Sequence, residues 1–175
     1  AMAVAGREIS VELNTFELMM YRSAIGFFIV NILIWKQGGF SQVKSDRLGL
    51  HLKRNIVHFT GQNLWFYGIV VIPFSQLVAL EFTSPIWVII LAPFFLGEKM
   101  TKPRIIAALS GFIGVLIVAQ PGVIDLGAGH AAGAAAAVFF ALNVNYTRKI
   151  SSYETVLSVL FWMTLMQFAF GVILS

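Results

Sequence analysis

The sequence predicts an all-α polytopic membrane protein. Of its 175 residues, 58% are hydrophobic and only 11% are charged, whereas a soluble domain has about 25% charged residues. Within residues 55–97 the only formally charged side chain is Glu81, and this stretch is long enough for two spans of about 20 residues each. The segments of about 10 alternating polar and apolar residues that a β-barrel requires are missing.

The first three predicted spans follow from apolar runs with polar boundaries. Residues 1–6 are the end of one such run and lack the charged region and cleavage site of a signal peptide. Thr15 can cap the start of the second span, at 16–35. The longest polar connection, 36–54, separates this span from the third span, at 55–72.

Four further spans are delimited by proline and glycine. Pro73 marks a tight turn, Pro103 suits the first turn of a helix, and Pro121 with the glycine after it ends a helix. Because the sequence begins and stops within apolar runs, we expect a fragment truncated at both ends. The four predicted spans are 74–96, 105–120, 128–146 and 154–175.

Lysine and arginine are concentrated in alternate loops. The connections 36–54, 97–104 and 147–153 hold ten of the twelve basic residues, and the opposite set of loops holds only Arg7. The positive-inside rule therefore predicts that the three basic loops are cytoplasmic and that the protein is a multi-pass protein of the cell inner membrane. No basic stripe with interleaved aromatic residues indicates a nucleic-acid partner.

A short internal similarity indicates an inverted repeat. The tripeptide beginning at Thr15, which opens the second span, resembles the tripeptide beginning at Ser152, which opens the seventh. Five spans separate the two sites, and an odd number inverts the orientation in the membrane. Inverted-topology repeats are frequent in transporters.

Two charged residues, Arg22 and Glu81, lie within predicted spans. A charge at the centre of a membrane helix costs about 2.5–3.5 kcal/mol on insertion scales, which a partner or a wet cavity can offset. The functional hypothesis is that they line a substrate path, where Arg22 favours anionic groups and Glu81 favours cations or protons. The alternatives are a structural ion pair, or an arginine whose head group reaches the membrane surface.

Pro85 strengthens the hypothesis for Glu81. A proline cannot donate the helical hydrogen bond to the carbonyl four residues earlier, which here belongs to Glu81. Thr83 and Ser84 lie beside this position. Such a backbone is tolerated in a membrane where protein, water or a ligand satisfies it. A kink needed only for packing is the alternative.

The third span carries a polar face formed by Asn55, His58, Gln62 and Trp65. This face has to contact protein or water, and lining a cavity and joining helices are both compatible with it. His58 is a further candidate for proton relay. The candidate substrate-path residues are Arg22, His58, Gln62, Asn63, Trp65, Glu81, Thr83, Ser84, Pro85, Asn143 and Trp162.

Pairs of glycines in the fifth and sixth spans, Gly111 with Gly114 and Gly129 with Gly133, predict close helix packing within the molecule. A homodimer interface is the alternative. No nucleotide-binding, zinc-protease or nucleophile motif is present, and cysteine is absent. The sequence therefore predicts no catalytic residues, no metal site and no cofactor.

Three motifs in order resemble the EamA-type transporters of the drug/metabolite transporter superfamily. They are Thr83-Ser84-Pro85, Leu96-Gly97-Glu98-Lys99 and Ala119-Gln120-Pro121-Gly122, and Phe16-Glu17 with Tyr21-Arg22 is similar too. The resemblance implies a helical bundle of two inverted five-helix repeats around a central cavity, of which six to seven of ten helices are present here. Residues 1–122 would form the first repeat and 123–175 the start of the second.

We therefore interpret the protein as a secondary carrier, an exporter of small metabolites that works by alternating access, with proton coupling as a further hypothesis. Its expected partners are the metabolite and the lipid bilayer. One alternative is an integral-membrane enzyme acting on a lipid or isoprenoid substrate, although Asp46, His51 and Glu98 are too scattered to form its site. The other alternative is a membrane scaffold that does not transport.

Overall fold

The computed structural model describes residues 15–43, 45–99, 101–119 and 126–174. These residues form seven α-helices, one short 3-10 helix and no strand, which confirms the all-α fold class. The first predicted span, 1–6, lies outside the described residues. The helices are α1 (Thr15–Lys36), the 3-10 helix (Phe40–Gln42), α2 (Leu48–Val71), α3 (Phe74–Glu81), α4 (Ser84–Leu96), α5 (Lys102–Ala119), α6 (Ala128–Ser151) and α7 (Val156–Leu174).

Three segments of the described chain are long and apolar enough to cross a membrane. They are Phe16–Lys36, Phe74–Leu96 and Val156–Leu174. Large apolar side chains point outward from such segments: Phe28 of α1 is 73% exposed and Phe94 of α4 is 81% exposed. Because exposed rings of this size are unfavourable in water, these outer faces fit contact with lipid or with further apolar helices.

Three predicted loops are partly helical, and the predicted boundaries were wrong there. Helix α5 begins at Lys102, within the predicted loop 97–104. Helix α2 begins at Leu48, within the predicted loop 36–54, and α6 continues to Ser151, within the predicted loop 147–153. Two of the polar residues in these regions, His51 and Arg54, are buried. Arg54 is 5% exposed, and its Nε donates a hydrogen bond to the hydroxyl of Thr147, at 2.9 Å.

The fourth predicted span was expected to be one continuous helix, and that prediction was wrong. Helix α3 ends at Glu81 and α4 begins at Ser84, with Pro85 in the first turn of α4. A proline is favoured there because its missing N–H would have no intrahelical acceptor. By contrast, Pro93 lies inside α4 without ending it, and Gly97 ends that helix in the left-handed conformation at φ 66°.

The chain divides into two compact units. Unit 1 contains the described residues of Ala1–Ile56 and Thr147–Ser175, and unit 2 is Val57–Tyr146. The predicted repeat boundary at 122–123 falls outside the described residues and stays a prediction.

Helices α1 and α7 pack closely in unit 1 because α7 carries a glycine at the contact. A Cβ atom on Gly171 would lie 2.7 Å from the Cβ of Met20 and 2.8 Å from its Cα. Along the same pair of helices, the rings of Phe27 and Phe161 lie 5.6 Å apart. Small residues let helix backbones approach where dispersion, rather than the hydrophobic effect, drives association in a membrane.

A buried carboxylate joins the start of α2 to the start of α7. Glu154, whose side chain is 7% exposed, accepts hydrogen bonds from Ser45 at 2.6 Å, His51 at 2.9 Å and Ser158 at 2.8 Å. Burial raises the pKa of Glu154, but these hydrogen bonds and the charge of His51 outweigh burial, so its pKa lies below the ordinary value.

A second polar contact joins α2 to α7 further along. The amide of Gln167 donates to the backbone carbonyl of Asn55 at 3.0 Å and to its side-chain oxygen at 3.2 Å. Both side chains are almost fully buried. The sequence left open whether the polar face of α2 lines a cavity or joins helices. Asn55 joins helices.

In unit 2 the close packing predicted for Gly129 and Gly133 is confirmed. A Cβ atom on Gly129 would lie 2.6 Å from Ile72, and one on Gly133 would lie 3.0 Å from Leu77 and Leu80. Gly111 lies near Ile86, at 3.4 Å, whereas Gly114 has no neighbour within 4 Å among the described residues. The homodimer alternative stays a prediction.

We expect Gly171→Ala to destabilise the protein by about 1–3 kcal/mol, because the added methyl group overlaps the backbone of Met20. Thermal unfolding in detergent measures the effect. Gly114→Ala is the matched control in another helix, and it should leave the melting temperature equal or slightly higher. Equal melting temperatures for Gly171→Ala and wild type would show that the close contact between α1 and α7 is absent.

We expect Glu154→Gln to lower stability at neutral pH by about 1–3 kcal/mol, because three hydrogen bonds then lose their ionised acceptor. Since the folded pKa is lowered, the stabilisation is present above the unfolded value of about 4.3 and is lost as the pH falls through the folded value.

Unfolding of wild type and Glu154→Gln from pH 7 to pH 3 tests this prediction. The difference between the two proteins should shrink as the pH falls. A difference that stays constant to pH 3 would contradict it. Glu98→Gln serves as control, because Glu98 pairs with Arg104 at a partly exposed site where little stability is at stake.

Candidate functional site

A cavity of about 510 Å³ lies within unit 2, and we call it the Glu81 cavity. Its walls combine a carboxylate, two amides, an imidazole and a hydroxyl with aromatic and aliphatic side chains. The residues that line it are His58, Gln62, Val78, Glu81, Phe82, Ser84, Pro85, Phe140, Asn143 and Val144.

The break between α3 and α4 presents Glu81 to this cavity. Glu81 is the last residue of α3, and the negative end of a helix dipole disfavours a carboxylate there. A hydrogen bond compensates, since Nε1 of Trp65 donates to Oε2 of Glu81 at 2.9 Å. Ser84 and Pro85, at the N-terminus of α4, line the same cavity, and this end of a helix favours negative charge.

Gln62 projects from α2 toward the same cavity. Its side chain is 7% exposed, and its amide oxygen has no hydrogen-bond partner among the residues that the structure describes. A buried carbonyl without a hydrogen-bond donor lowers the stability of the folded protein, so Gln62 does not stabilise the empty cavity. This oxygen is therefore available to a donor from a bound molecule.

The ring of Phe140 forms one wall and is held in place by a glycine. A Cβ atom on Gly61 would lie 3.1 Å and 3.2 Å from two ring carbons of Phe140, so the ring occupies the space that a side chain would fill. The imidazole of His58 lies 6.4 Å from the Phe140 ring at an interplanar angle of 52°. The cavity thus has a fixed aromatic wall beside its polar groups.

Comparison of the sequence with known proteins identifies its family. The profile of the EamA-like transporter family matches residues 1–120. The chain belongs to this family. The resemblance inferred from the sequence motifs is thereby confirmed, as is membership of the drug/metabolite transporter superfamily.

Several curated EamA-like relatives are named as transporters of small molecules. An S-adenosylmethionine uptake transporter of Rickettsia conorii is 28% identical over 91% of this chain and 54% of its own length. A riboflavin transporter of Brucella anthropi is 34% identical over 53% of this chain and 33% of its own length. A pseudopaline exporter of Pseudomonas aeruginosa is 28% identical over 66% of this chain and 40% of its own length.

The chain spans about half the length of the Rickettsia relative that it matches. No solved structure matches it significantly. The relatives therefore support the class of protein, whereas the cavity geometry comes from this EamA-like chain alone.

The structure brings most of the predicted site residues of the EamA-like chain together. His58, Gln62, Glu81, Ser84, Pro85 and Asn143 line the Glu81 cavity. Three other predicted residues lie near these in the chain but do not line the cavity. They are Asn63, Trp65 and Thr83.

Trp65 contacts the cavity's acid rather than its interior, through the hydrogen bond to Glu81. The amide of Asn63 donates to the carbonyl of Phe59 at 2.8 Å. The hydroxyl of Thr83 donates to the carbonyl of Leu80 at 2.7 Å, which provides local compensation at the helix break.

Arg22 and Trp162 belong to unit 1 and are not part of the Glu81 cavity. The role of Arg22 stays a prediction. The indole of Trp162 lies 5.5 Å from the ring of Phe161 and 6.2 Å from that of His51. The similar membrane depth expected for Arg22 and Glu81 stays a prediction.

Four apolar residues of the cavity wall were not predicted from the sequence. They are Val78, Phe82, Phe140 and Val144. Their spacing in the sequence indicates a shared helix face. Val78 and Phe82 are four residues apart, with Glu81 between them. Phe140 and Val144 are also four residues apart, with Asn143 between them. Residues at this spacing share a helix face. In a largely apolar sequence, however, such spacing is too common to single out a wall.

A larger cavity of about 610 Å³ in unit 2 is almost entirely apolar and holds one polar pair. Nδ1 of His130 accepts a hydrogen bond from the backbone N–H of Gly127 at 3.2 Å, so the ring proton is on Nε2. That nitrogen donates to the side-chain oxygen of Gln76 at 2.9 Å. With these polar atoms already paired, this cavity offers less specific recognition than the Glu81 cavity.

A double-mutant cycle tests the bond between Trp65 and Glu81. We expect Trp65→Phe and Glu81→Leu each to reduce thermal stability in detergent, with a coupling energy of about 1 kcal/mol, because Trp65→Phe removes the donor and Glu81→Leu removes the acceptor. Strictly additive effects of the two substitutions would contradict the contact.

Proposed function

We propose that the protein is a secondary carrier of small metabolites that works by alternating access and that the Glu81 cavity is its substrate path. The observation that carries the proposal is the convergence of a carboxylate and a buried unpaired amide on one cavity of a transporter-family membrane protein. Polar groups of this kind inside a membrane protein are expensive, and function is the default explanation for them.

The size and lining of the cavity support this role. Small-molecule sites measure about 300–1,000 Å³ and combine apolar walls with a few directed polar groups. At about 510 Å³, the cavity has room for a molecule of metabolite size. The relatives named as carriers of S-adenosylmethionine, riboflavin and pseudopaline make a cargo of that size the natural expectation.

The two alternatives gain less support. An enzyme acting on a lipid substrate needs clustered acids or histidines, and the contacts of Glu154 with Ser45 and His51 occupy this carboxylate with internal hydrogen bonds. The family and the names of the relatives favour transport over both catalysis and a scaffold role.

Export, orientation and coupling belong to the proposal. The relatives include uptake transporters and an exporter, so export rests on the family resemblance alone. The cytoplasmic placement of loops 36–54, 97–104 and 147–153 rests on their positive charge. Proton coupling rests on Glu81, the one acid in the cavity lining.

We expect Glu81→Gln to abolish the dependence of transport on a pH gradient while leaving membrane insertion intact, because the amide cannot bind and release a proton. The measurement is flux of a labelled metabolite extract into and out of proteoliposomes holding the complete protein as its gene encodes it, with and without the gradient.

Glu98→Gln is the matched control, because its carboxylate pairs with Arg104 at 2.6 Å and lies outside the cavity. It should transport like wild type. Unchanged gradient dependence in Glu81→Gln would falsify the coupling role. Absence of any gradient-driven flux in wild type would overturn the carrier proposal itself.

Arg22 is tested by Arg22→Ala and Arg22→Lys in the same vesicles. If its charge attracts anionic groups along the path, Arg22→Ala should lower the flux of anionic cargo several-fold and Arg22→Lys should largely restore it. Wild-type flux in both variants would identify Arg22 as a packing residue.

A further inference from the structure

The Gln62 amide in the Glu81 cavity has hydrogen-bonding capacity that the described protein does not use. The oxygen of the Gln62 amide is buried and unpaired, and no described residue accepts a hydrogen bond from its NH₂ group. Two other amides donate hydrogen bonds to the backbone of their own helices. Asn63 donates to Phe59, and Asn31 of α1 donates to the carbonyl of Phe27 at 2.7 Å.

The geometry of a free side-chain amide restricts its complement. The amide is planar and presents an acceptor and a donor side by side. Its best partner is another planar edge with a donor beside an acceptor, which is how glutamine reads the edge of a purine base. A lone ammonium group fills only the acceptor half of this pattern.

The walls around Gln62 favour a flat ligand. Phe140 lines the cavity and is seated against Gly61, and the imidazole of His58 lies beside its ring. Aromatic side chains stack on the faces of heterocycles with little dependence on their identity. Stacking on Phe140 and edge recognition by Gln62 are therefore compatible with one ring.

Glu81 adds a second hydrogen-bond acceptor to the cavity. The Gln62 amide differs from it because the amide also offers a donor. One of its oxygens already accepts the hydrogen bond from Trp65. The cavity thus offers acceptors from Gln62 and Glu81, and it contains no lysine or arginine. An anionic ligand such as a free phosphate lacks a cationic partner there.

We propose that the Glu81 cavity binds a planar nitrogen heterocycle and that Gln62 is its specificity-determining residue, pairing with a ring edge that carries an N–H donor beside an acceptor. This inference rests on the proposed function, because it names the class of cargo for the same cavity.

The test measures binding by the complete protein in lipid nanodiscs with two matched pairs of probes. Riboflavin is compared with 3-methylriboflavin, and adenosine with N6,N6-dimethyladenosine. Each methylated partner keeps the ring and its stacking face but loses the N–H donor. Putrescine serves as a cation without a ring.

For wild type we expect methylation to weaken binding about tenfold to a hundredfold in at least one pair, because the buried acceptor of Gln62 is then left unpaired. Gln62→Leu should weaken the unmethylated probe by a similar factor and abolish the difference within the pair. Phe140→Leu should weaken both members equally, since it removes stacking only.

Two controls separate a local effect from misfolding. Asn31→Leu removes an amide outside the cavity whose donor is already paired with the carbonyl of Phe27, and it should bind all probes like wild type. Gln62→Glu keeps an acceptor at the same position, so it should retain part of the discrimination within the pair even if Gln62→Leu fails to fold.

Three outcomes would overturn the inference. They are equal binding of methylated and unmethylated probes, a methylation effect that persists in Gln62→Leu and Gln62→Glu unchanged, and failure of every ring probe to bind. If no ring probe binds but putrescine does, and Glu81→Gln abolishes the binding of putrescine, the inference fails while the Glu81 cavity stands as a substrate site. If gradient-driven flux is also absent from the vesicles, the proposed function fails with it.

Discussion

The hydrogen bond from Trp65 to Glu81 is the interaction on which the candidate site depends. Pro85 cannot donate a helical hydrogen bond to the carbonyl of Glu81; α3 ends at Glu81, and the carboxylate lies at the unfavourable end of a helix dipole. The indole donor satisfies one oxygen of that carboxylate. A single backbone interruption therefore determines where the acid lies and leaves it partly available to the cavity.

Several buried polar groups of unit 1 join helices to one another. The carboxylate of Glu154 has three hydrogen-bond partners, and Asn55 is bound by Gln167. Unmatched atoms remain in unit 1 as well, since the amide oxygen of Gln167 has no partner among the described residues. In unit 2 the amide of Gln62 is left unmatched, which is a cost to stability that a ligand can offset.

Residue type and spacing predicted most of the polar lining but could not divide it from the helix-joining residues. Asn55 and Gln62 occupy the same face of α2, and their sequence signals are alike. Only the neighbour decides between the roles, because Gln167 approaches Asn55 while Gln62 borders a cavity. The helical starts at Leu48 and the end at Ser151 were missed for a related reason: His51 and Arg54 read as loop residues until their partners are known.

By itself the sequence determined the membrane class, the family and the presence of an acid within an apolar span, because low charge, apolar run length and proline position act locally along the chain. It also predicted the close packing at Gly129 and Gly133. Only the tertiary structure decided that α3 and α4 are separate helices, that Phe82 and Phe140 line the cavity, and that Trp162 is not part of its lining. Those outcomes depend on contacts between residues far apart in the chain, which periodicity and composition do not encode.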